Sequence, residues 1–402
     1  MKILMIAPQP FFEPRGTPIS VHQRLTGLTT LGHHVDLATY HLGEDIELPG
    51  LNIFRMVKVP GIREIKVGPS WQKIPLDFLL ILKSLELLFR REYDVIHSHE
   101  EAGFFSIFLS SIFNLPHIYD MHSSLPKQLV NFKFGDNKFM IKIFELLERW
   151  VINTCDAVIT IGPDLEKYVR EINPNARVQM IENLPLNIDQ KYNEIPVEIQ
   201  ERFLQQKGLI IVYTGTFERY QGVEVLIKSF TQIVKIFPGA CLILVGGKPA
   251  QLFAIKELIN EMELIDSVQL TGIVPLEDAN AYLQLADILV SPRIEGTSVP
   301  LKIYTYLNAG KAILATNIPA HTAVLSPETA CLVSPTEDGI TTGLTSLLAN
   351  DQLRAALSSN GKQLAEEKYG QTQYLSKLEK VYQIFSDNNL AKSGMKRISS
   401  KE

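Results

Sequence analysis

Short apolar, β-branched runs alternate with longer amphipathic stretches along almost the whole chain, and this alternation limits the fold more than any other feature. In the first half the strand-like runs are Ile3–Ala7, Val35–Tyr40, Ile53–Val57, Asp94–His97, His117–Met121, Ala157–Ile161 and Val178–Ile181. Helix-like stretches lie between them, at Ser20–Leu31, Leu76–Phe89, Lys138–Ile152 and Asp164–Ile172. Continuous apolar strands that alternate with helices are typical of βαβ units and of a parallel sheet covered on both faces. The pattern therefore predicts an α/β fold.

The alternation stops between Leu184 and Lys207 and restarts at Leu209. The interval contains two prolines and many polar residues, which is typical of a linker. A chain of 402 residues has room for two or three domains of roughly 100–200 residues each. We therefore predict two doubly wound, Rossmann-like domains over 1–190 and 191–370. A long helical segment follows, from about Asp351 to Phe385, and the Lys, Ser and Gly content of 391–402 predicts a flexible tail.

Charge and cysteine content exclude several classes of function. The formal net charge is −5, so we expect no long-range attraction to nucleic acid. The three cysteines, Cys155, Cys241 and Cys331, lie far apart without a Cys-x-x-Cys pair. This spacing argues against a cysteine-based zinc site and against a disulfide framework, and it fits a reducing cytosol.

The apolar runs are too short for membrane insertion. The run at the start of the chain ends at Pro8, which predicts a buried first strand rather than a signal peptide. The most apolar window, Leu76–Phe89, is interrupted by Lys83 and Glu86. A helix that spans a membrane needs about 20 apolar residues, and this window is shorter. We expect a cytoplasmic protein without a transmembrane segment.

Ligands of doubly wound sheets bind at the carboxyl ends of the strands, so the loops after the strands are the candidate sites. The loop after the first strand contains Gly16 and Thr17, and Pro18 suits a first helical position. Free amides at that helix start can hold a phosphate or a sugar hydroxyl. A loop that is merely stiffened by proline would show the same residues, and the stretch matches neither a GxGxxG fingerprint nor a P-loop.

Histidines cluster after the fourth and fifth strands. His97 and His99 are two residues apart, so they share one face of a strand, and His122 follows the next strand. A metal site and ordinary structural histidines both fit this pattern, although the spacing matches no His-Glu-x-x-His motif. We predict that at least one of the three is a site residue, and we prefer His122.

Glycines and a carboxylate follow the strands of the second half. The stretches Tyr213–Gly222, Gly246-Gly247 and Thr271–Val274 each place glycine or small hydroxylated residues after a strand, as phosphate-binding loops do. The stretch Ser291–Lys311 combines a strand end, a turn with Glu295 and a helix that ends at Gly310. A carboxylate beside free helix amides can bind sugar hydroxyls and phosphate oxygens together. In the simpler interpretation, Glu295 is only a helix N-terminal charge.

The stretches Ser291–Gly310 and Tyr213–Gly222 resemble those of the retaining family-4 type glycosyltransferases, also called glycosyl transferases group 1. The resemblance covers almost the whole chain. It implies the GT-B architecture of two facing Rossmann-like domains, with a C-terminal helix, here 371–390, that crosses back to the first domain.

The resemblance also implies roles for individual residues. His122 matches a family histidine near the donor sugar, and Glu295 matches the first of two paired glutamates, which contacts the transferred sugar. These two are the implied catalytic residues. The implied donor-binding residues are Gly16, Thr17, Gly215, Thr216, Arg219, Val274, Gly296, Thr297, Ser298, Val299, Lys302 and Thr305, with Val274 placed where the family's backbone reads the nucleotide base.

The chain departs from the family pattern at three positions. Thr305 stands where the family has its second glutamate, which usually binds the ribose. Thr216 and Gln221 stand where the family has an arginine and a lysine that contact the diphosphate. Arg219 and Lys302 are the nearby cations that would replace them, and we prefer Lys302.

The implied reaction transfers a sugar from a UDP- or GDP-linked donor to an acceptor hydroxyl with retention of anomeric configuration. The chain contains no Asp-x-Asp motif, which favours metal-independent transfer without a cofactor. The expected partners are the nucleotide sugar and a glycan or lipid-linked acceptor, not nucleic acid. Two alternatives stay open: a nucleotide-sugar epimerase or hydrolase on the same fold, and a catalytically silent sugar-nucleotide-binding partner subunit, which the three departures favour.

The stretch Asn131–Val151 combines lysines with many aromatic and aliphatic residues. Such a helix can lie on the inner face of a membrane and bring the enzyme to a lipid-linked acceptor. A core helix with a solvated lysine face fits the same pattern. Peripheral membrane contact is therefore a hypothesis for this segment.

Overall fold

A computed structural model of the protein describes residues 1–13, 16–65, 70–126, 129, 138–185, 208–296 and 298–399. The chain divides into two compact units. The first comprises Met1–Asn183 together with Gln371–Glu402, and the second comprises Leu184–Gly370. The stretch interpreted as a linker lies mostly outside the described residues.

The first unit is built on a parallel sheet. Its described strands are β1 (Lys2–Ala7), β2 (His34–Thr39), β3 (Leu51–Arg55), β4 (Val95–His99), β5 (His117–Met121), β6 (Ala157–Thr160) and β7 (Val178–Met180), in the spatial order β3-β2-β1-β4-β5-β6-β7. The helices α1 (Gly16–Thr30), α2 (Lys73–Arg90), α3 (Ala102–Phe113), α4 (Lys138–Thr154) and α5 (Pro163–Ile172) alternate with them along the chain. The strand order reverses between β1 and β4, which is where doubly wound sheets bind ligands.

The second unit repeats this plan. Its described strands are β8 (Ile210–Thr214), β9 (Cys241–Val245), β10 (Val268–Gly272), β11 (Ile288–Ser291), β12 (Ala312–Thr316) and β13 (Cys331–Val333), in the order β10-β9-β8-β11-β12-β13. A short 3-10 helix (Arg219–Gln221) precedes α6 (Val223–Ile236), followed by α7 (Pro249–Glu261), α8 (Leu276–Leu285), α9 (Leu301–Ala309), α10 (Pro319–Thr322), α11 (Glu337–Ala349) and α12 (Asp351–Lys368). The predicted doubly wound α/β fold is confirmed in both units.

The C-terminal helical segment is two helices rather than one. After α12 the chain breaks at Tyr369-Gly370 and continues as α13 (Gln371–Ser399), which belongs to the first unit and packs against α1 and β7. A Cβ atom at Gly27 of α1 would lie only 2.8 Å from the Leu378 side chain, so the close approach of the two helices depends on glycine. Helix α13 extends beyond the predicted boundary at residue 390.

Strand β4 is longer than the sequence predicted. Ser98 and His99 are polar, which placed the predicted end at His97, yet both side chains are fully buried. The Ser98 hydroxyl lies 2.7 Å from Nε2 of His117 on the neighbouring strand. Because neighbouring strands provide such partners, polar residues can continue a buried strand.

The first helix also begins earlier than predicted. The sequence predicts a loop at Gly16 and Thr17, with Pro18 as the first helical residue. In the structure α1 begins at Gly16, and Pro18 is its third residue. Proline is tolerated there because the amides of a first helical turn have no intrahelical acceptor. Pro14 and Arg15, also part of the predicted loop, lie outside the described residues.

Candidate functional site

The predicted histidines meet at the carboxyl edge of the first sheet. The register of β4 and β5 pairs His99 with Asp120. The rings of His97 and His99 stack with centroids 4.7 Å apart, which confirms that they share a face. The ring of His122, just after β5, stacks on His99 at 5.2 Å.

Asp120 is the charged centre of this edge. Its Oδ2 atom accepts a hydrogen bond from Nε of Arg24 at 2.8 Å, and both side chains are fully buried. Arg24 also donates to the Tyr374 hydroxyl at 2.8 Å and to the Ile181 carbonyl at 3.0 Å. Burial alone would raise the pKa of Asp120, but the guanidinium and the neighbouring histidines hold that pKa well below its usual value. No pattern in the sequence predicts the pairing of Arg24 with Asp120, because an ion pair between distant positions leaves no local signal.

The histidines are neutral at neutral pH. Burial lowers the pKa of His97, and it lowers that of His99 further. Burial also lowers the pKa of His122 to about 4, against a weaker opposing effect of Asp120. Each ring therefore carries one proton, and the nitrogen that carries it is set by its hydrogen-bond partners.

The same residues do not suit a metal ion. Ligand atoms of His97, His99 and Asp120 lie within 4.8 Å of one another, which is close enough to consider a divalent cation. However, the Arg24 guanidinium already occupies Oδ2 of Asp120. A cation placed there would lie beside a buried positive charge, so the cluster fits a hydrogen-bonded network better than a metal centre.

Further carboxyl groups lie beside this network. Glu100 follows β4 with a positive φ of 50°, and it accepts hydrogen bonds from the Ser123 hydroxyl at 3.2 Å. Burial, reinforced by repulsion from Glu101, raises the pKa of Glu100 to about 8. A carboxyl group that keeps its proton at neutral pH can both donate to and accept from a hydroxyl ligand. The sequence signal for Glu100 is only its place directly after a strand.

Helix α4 exposes an apolar face. Phe139, Ile143, Leu146 and Trp150 recur at helical spacing and are 38–71% exposed. The ring of Trp150 lies 5.0 Å from that of Phe108 on α3, which is itself 53% exposed. Residues 131–137 of the predicted surface segment lie outside the described residues. None of the described helices is both long and apolar enough to span a membrane.

Glycines form the corresponding edge of the second sheet. Gly215 follows β8, Gly246 and Gly247 follow β9, and all three have positive φ. A Cβ atom at Gly246 would lie 2.0 Å from the Gly215 carbonyl oxygen. The backbone is therefore closely packed here, with the Phe217 ring against Gly247 and the Lys302 amine against Gly215, and the positive φ values are of the kind that phosphate-binding loops use.

Lys302 lies at this edge, in the first turn of α9. Its Nζ atom is 4.0 Å from the centre of the Tyr213 ring and 3.4 Å from Oε1 of Gln221. Burial, together with the nearby charge of Arg293, lowers the pKa of Lys302 to about 7. Among the described residues Lys302 forms no ion pair with a carboxylate. Helix α9 has no side-chain cap at Pro300, so free amides accompany the lysine.

Arg293 braces the turn that carries Glu295. Its Nε donates to the Glu295 carbonyl at 2.8 Å, and its Nη1 donates to the Ser298 carbonyl at 3.0 Å. The guanidinium lies 5.0 Å from the centre of the Tyr220 ring. The sequence alone does not predict this role, because an arginine between a strand and a glycine turn is equally compatible with a solvated side chain.

The other predicted donor-binding residues are spread along the same edge. Thr305 is inside α9 and only 3% exposed, so it presents little surface to a ribose. Arg219 is exposed on the 3-10 helix, where its carbonyl accepts a hydrogen bond from the Gly222 amide at 3.1 Å, and its side chain forms no ion pair with another described residue. Val274 and Val299 are half-buried, whereas Thr216, Glu295, Gly296 and Ser298 are exposed. Thr297 lies outside the described residues.

Family models match both halves of the chain. Residues 14–184 match the model described as Glycosyltransferase Family 4, and residues 194–364 match the model described as Glycosyl transferases group 1. The two matches do not overlap and together span most of the chain.

Curated relatives and solved structures agree with this match over nearly full length. A phosphatidyl-myo-inositol mannosyltransferase from Mycolicibacterium smegmatis is 22% identical over 96% of this chain and 94% of its own. A sucrose-phosphate synthase structure from Thermosynechococcus elongatus has a TM-score of 0.77 and 21% identity, covering 96% of this chain and 99% of that one. Anabaena HepE in complex with UDP-glucose has a TM-score of 0.69 and 15% identity, covering 95% and 99%. At these identities the structural likeness establishes the fold.

Proposed function

Because the chain belongs to the glycosyltransferase family whose models match its two halves, we propose that it transfers a sugar from a nucleoside-diphosphate sugar to an acceptor hydroxyl. The transfer retains the anomeric configuration and needs no metal ion. The departing diphosphate is the charge that the enzyme has to stabilise, since the sugar becomes positively charged as the bond breaks.

The observation that carries the proposal is the uncompensated cation at the edge of the second sheet. The amine of Lys302 lies against Tyr213 and Gln221 without a carboxylate partner among the described residues. Gln221 stands where the family pattern has a lysine, so the amine of Lys302 lies close to the position of the missing charge. A partly buried amine beside the backbone amides of a helix start can bind the oxygens of a diphosphate through charge and hydrogen bonds.

Residues of this chain have distinct tasks in the proposed reaction. Lys302 and the first-turn amides of α9 hold the diphosphate and neutralise the charge that develops on it. Arg293 holds the backbone carbonyls of Glu295 and Ser298, so that Glu295 contacts the transferred sugar. His122 contacts the transferred sugar, as the resemblance to the family implies.

Donor binding is tested by calorimetric titration of the full chain with UDP, GDP and ADP, without metal and then with magnesium. We expect one nucleotide to bind without metal, and Lys302→Met to weaken binding at least about 100-fold, as the loss of a charge-assisted contact to phosphate predicts. Lys311→Met is the matched control, because Lys311 donates to the carbonyl of Gln284 and lies outside the proposed site.

Two results would contradict the proposal. Binding of no nucleotide by the wild-type protein would favour the silent partner subunit, with Thr216, Gln221 and Thr305 as the explanation. Equal affinities of Lys302→Met and Lys311→Met would remove Lys302 from the diphosphate site.

The acceptor that we propose is the hydroxyl of a glycolipid precursor at a membrane surface. The M. smegmatis relative is named for phosphatidyl-myo-inositol, and helix α4 exposes an apolar face with Lys142 and Arg149 on the same helix. Such a face inserts into the headgroup region of a bilayer while its basic residues meet anionic lipid. The protein would then work as a peripheral enzyme at the inner face of the membrane.

Vesicle flotation tests this contact. Vesicles with phosphatidylinositol should carry the wild-type protein upward, and Phe139→Ser/Leu146→Ser should lose most of that association. Lys235→Ser/Lys256→Ser, two exposed lysines of the second unit, is the control. No association of the wild-type protein with neutral or anionic vesicles would exclude the membrane contact without affecting the donor titration.

A further inference from the structure

A chain of buried side chains connects helix α13 to Asp120. Tyr382 of α13 hydrogen-bonds to Nδ1 of His97, and Nε2 of His97 lies 3.3 Å from Oδ2 of Asp120. Tyr374 of the same helix accepts a hydrogen bond from Arg24, whose Nε lies 2.8 Å from the same carboxylate oxygen. Helix α13 therefore holds both hydrogen-bond donors of that oxygen.

The ring proton of His97 has one consistent position. Asp120 is ionised, because the pKa of its carboxyl group lies well below the usual value, so its oxygens can only accept hydrogen bonds. The His97 nitrogen that faces the carboxylate must then carry the proton, which is Nε2. Nδ1 of His97 is left as an acceptor, and the Tyr382 hydroxyl donates to it.

The proton of His122 follows from the other carboxylate oxygen. Nε2 of His122 lies 3.4 Å from Oδ1 of Asp120 and 3.0 Å from Nδ1 of His99. A lone pair on Nε2 would face a negative oxygen, whereas a proton there is attracted by Oδ1 and donated to His99. Nδ1 of His99 is farther from the carboxylate, at 3.8 Å from an oxygen that already has two donors. The proton therefore belongs on Nε2 of His122.

Nδ1 of His122 is then an acceptor without a donor. Among the described residues no group hydrogen-bonds to it, and it is out of contact with solvent. A buried acceptor that lacks a partner is unfavourable, and a ligand hydroxyl that reaches it restores the missing hydrogen bond.

We propose that Asp120, held by Arg24 and His97, is a positioning residue that fixes His122 in its Nε2-protonated tautomer and so presents Nδ1 as an acceptor for a hydroxyl of the transferred sugar. The inference rests on the proposed function, because the hydroxyl belongs to the donor. It makes the C-terminal helix part of the site through Tyr374 and Tyr382, although neither contacts His122. A histidine with a fixed tautomer does not have to exchange its proton when the donor binds.

The tautomer is measured directly by NMR of the full chain labelled with nitrogen-15 in histidine. The resonances of His122 are those that disappear in His122→Gln. At pH 7.5 we expect a protonated Nε2 and an unprotonated Nδ1 in the wild-type protein, and a mixture of both tautomers in Asp120→Asn. A wild-type His122 with its proton on Nδ1, or an Asp120→Asn spectrum with an unchanged tautomer, would overturn the inference.

A milder variant keeps the test valid if Asp120→Asn unfolds, since that change leaves Arg24 without its counter-ion. Tyr382→Phe removes only the hydroxyl that donates to His97. We expect it to shift the His97 and His122 resonances and to lower donor turnover about tenfold at unchanged donor affinity. Tyr93→Phe is the matched control, because its hydroxyl donates to Asp36 at 2.8 Å, outside the histidine network. Identical histidine spectra and turnover for the two variants would contradict the positioning role.

Donor addition separates this inference from the proposed function. Saturation with a sugar nucleotide that carries the base selected in the calorimetric titration (UDP-glucose, GDP-mannose or ADP-glucose) should move the Nδ1 resonance of His122. An unmoved resonance at saturation would overturn the acceptor role of Nδ1. A wild-type protein that binds no sugar nucleotide would overturn the proposed function, and the tautomer would still be read from the spectrum without donor.

Discussion

The carboxyl edge of the first sheet is filled with charges that neutralise one another, whereas that of the second is lined with glycine and holds cations without counter-ions. In the first, Arg24 and Asp120 are fully buried and joined by a hydrogen bond of 2.8 Å. In the second, Lys302 and Arg293 contact aromatic rings, an amide and backbone carbonyls, and no carboxylate within ion-pair distance among the described residues.

This difference separates two ways of preparing a site. A buried ion pair is costly to break, so the first edge holds its histidines in fixed positions before any ligand arrives. A cation without an ionic partner gains a new favourable charge interaction when an anion binds beside it. The carboxyl edge of the second sheet is therefore suited to an anionic ligand.

The largest expected effect is on stability, from breaking the ion pair of the first unit. Arg24→Met leaves Asp120 buried without its partner, and we expect a loss of about 3–5 kcal/mol in the free energy of unfolding of that unit. Both tryptophans, Trp71 and Trp150, are in the first unit, so urea unfolding followed by tryptophan fluorescence reports on it alone.

Arg170→Met is the matched control. Arg170 pairs with Glu166 at 2.8 Å on the surface of α5, where its side chain is 48% exposed. Such exposed pairs contribute about 0–1 kcal/mol. Similar losses for the two arginines would mean that the Arg24–Asp120 pair is not buried in solution.

The glycine-lined edge should respond to added side-chain volume. Gly246 has a φ of 120°, and a Cβ atom there would lie 2.0 Å from the Gly215 carbonyl. Gly246→Ala should therefore destabilise the second unit by about 2 kcal/mol or more. The loss should appear in circular dichroism, while tryptophan fluorescence of the first unit is unchanged. Gly162→Ala is the control, because nothing lies within 4 Å of a Cβ atom there; equal stabilities of both variants would contradict the close packing.

Donor affinity should depend on pH through Lys302. Burial, then the charge of Arg293, lowers its pKa to about 7, and a bound diphosphate favours the protonated amine and so raises that pKa. The affinity is therefore highest below pH 7, where the free amine is already charged. It should fall by up to about tenfold per pH unit above 7, until the pKa of the bound state is reached. Titration with the intact sugar nucleotide between pH 6 and 8.5 measures this slope, and a flat profile would mean that the amine is charged throughout.

The sequence predicts the fold well because the fold depends on local patterns. Continuous apolar runs and amphipathic helices predict two doubly wound domains, which the structure confirms, and the polar loops after the strands lie at the carboxyl edges of the two sheets. The same patterns place the end of β4 two residues early, at His97, because a local pattern does not show that Ser98 and His99 find partners on the neighbouring strand and in the loop after it.

The residues of the candidate site can be predicted from the sequence where they form a local motif. They cannot be predicted where the site depends on contacts between residues far apart in the chain. Lys302 and the glycine turns stand in recognisable stretches. The Arg24–Asp120 pair joins positions 96 residues apart, and Tyr374 lies 350 residues from Arg24. Only the folded structure shows that one fully buried carboxylate connects them.

The smallest expected effect concerns Arg293, the bracing cation of the second edge. Its guanidinium binds the carbonyl oxygens of Glu295 and Ser298 with two different nitrogens, a fork that methionine cannot replace. Arg293→Met should weaken donor binding about tenfold, which corresponds to about 1.4 kcal/mol. Because Arg293 lacks a buried ionic partner, its loss should cost far less stability than that of Arg24. Calorimetric titration and urea unfolding of the same preparation give both numbers. The opposite result is that Arg293→Met unfolds the second unit while Arg24→Met leaves the first unit stable. It would contradict the difference drawn above between the carboxyl edges of the first and second sheets.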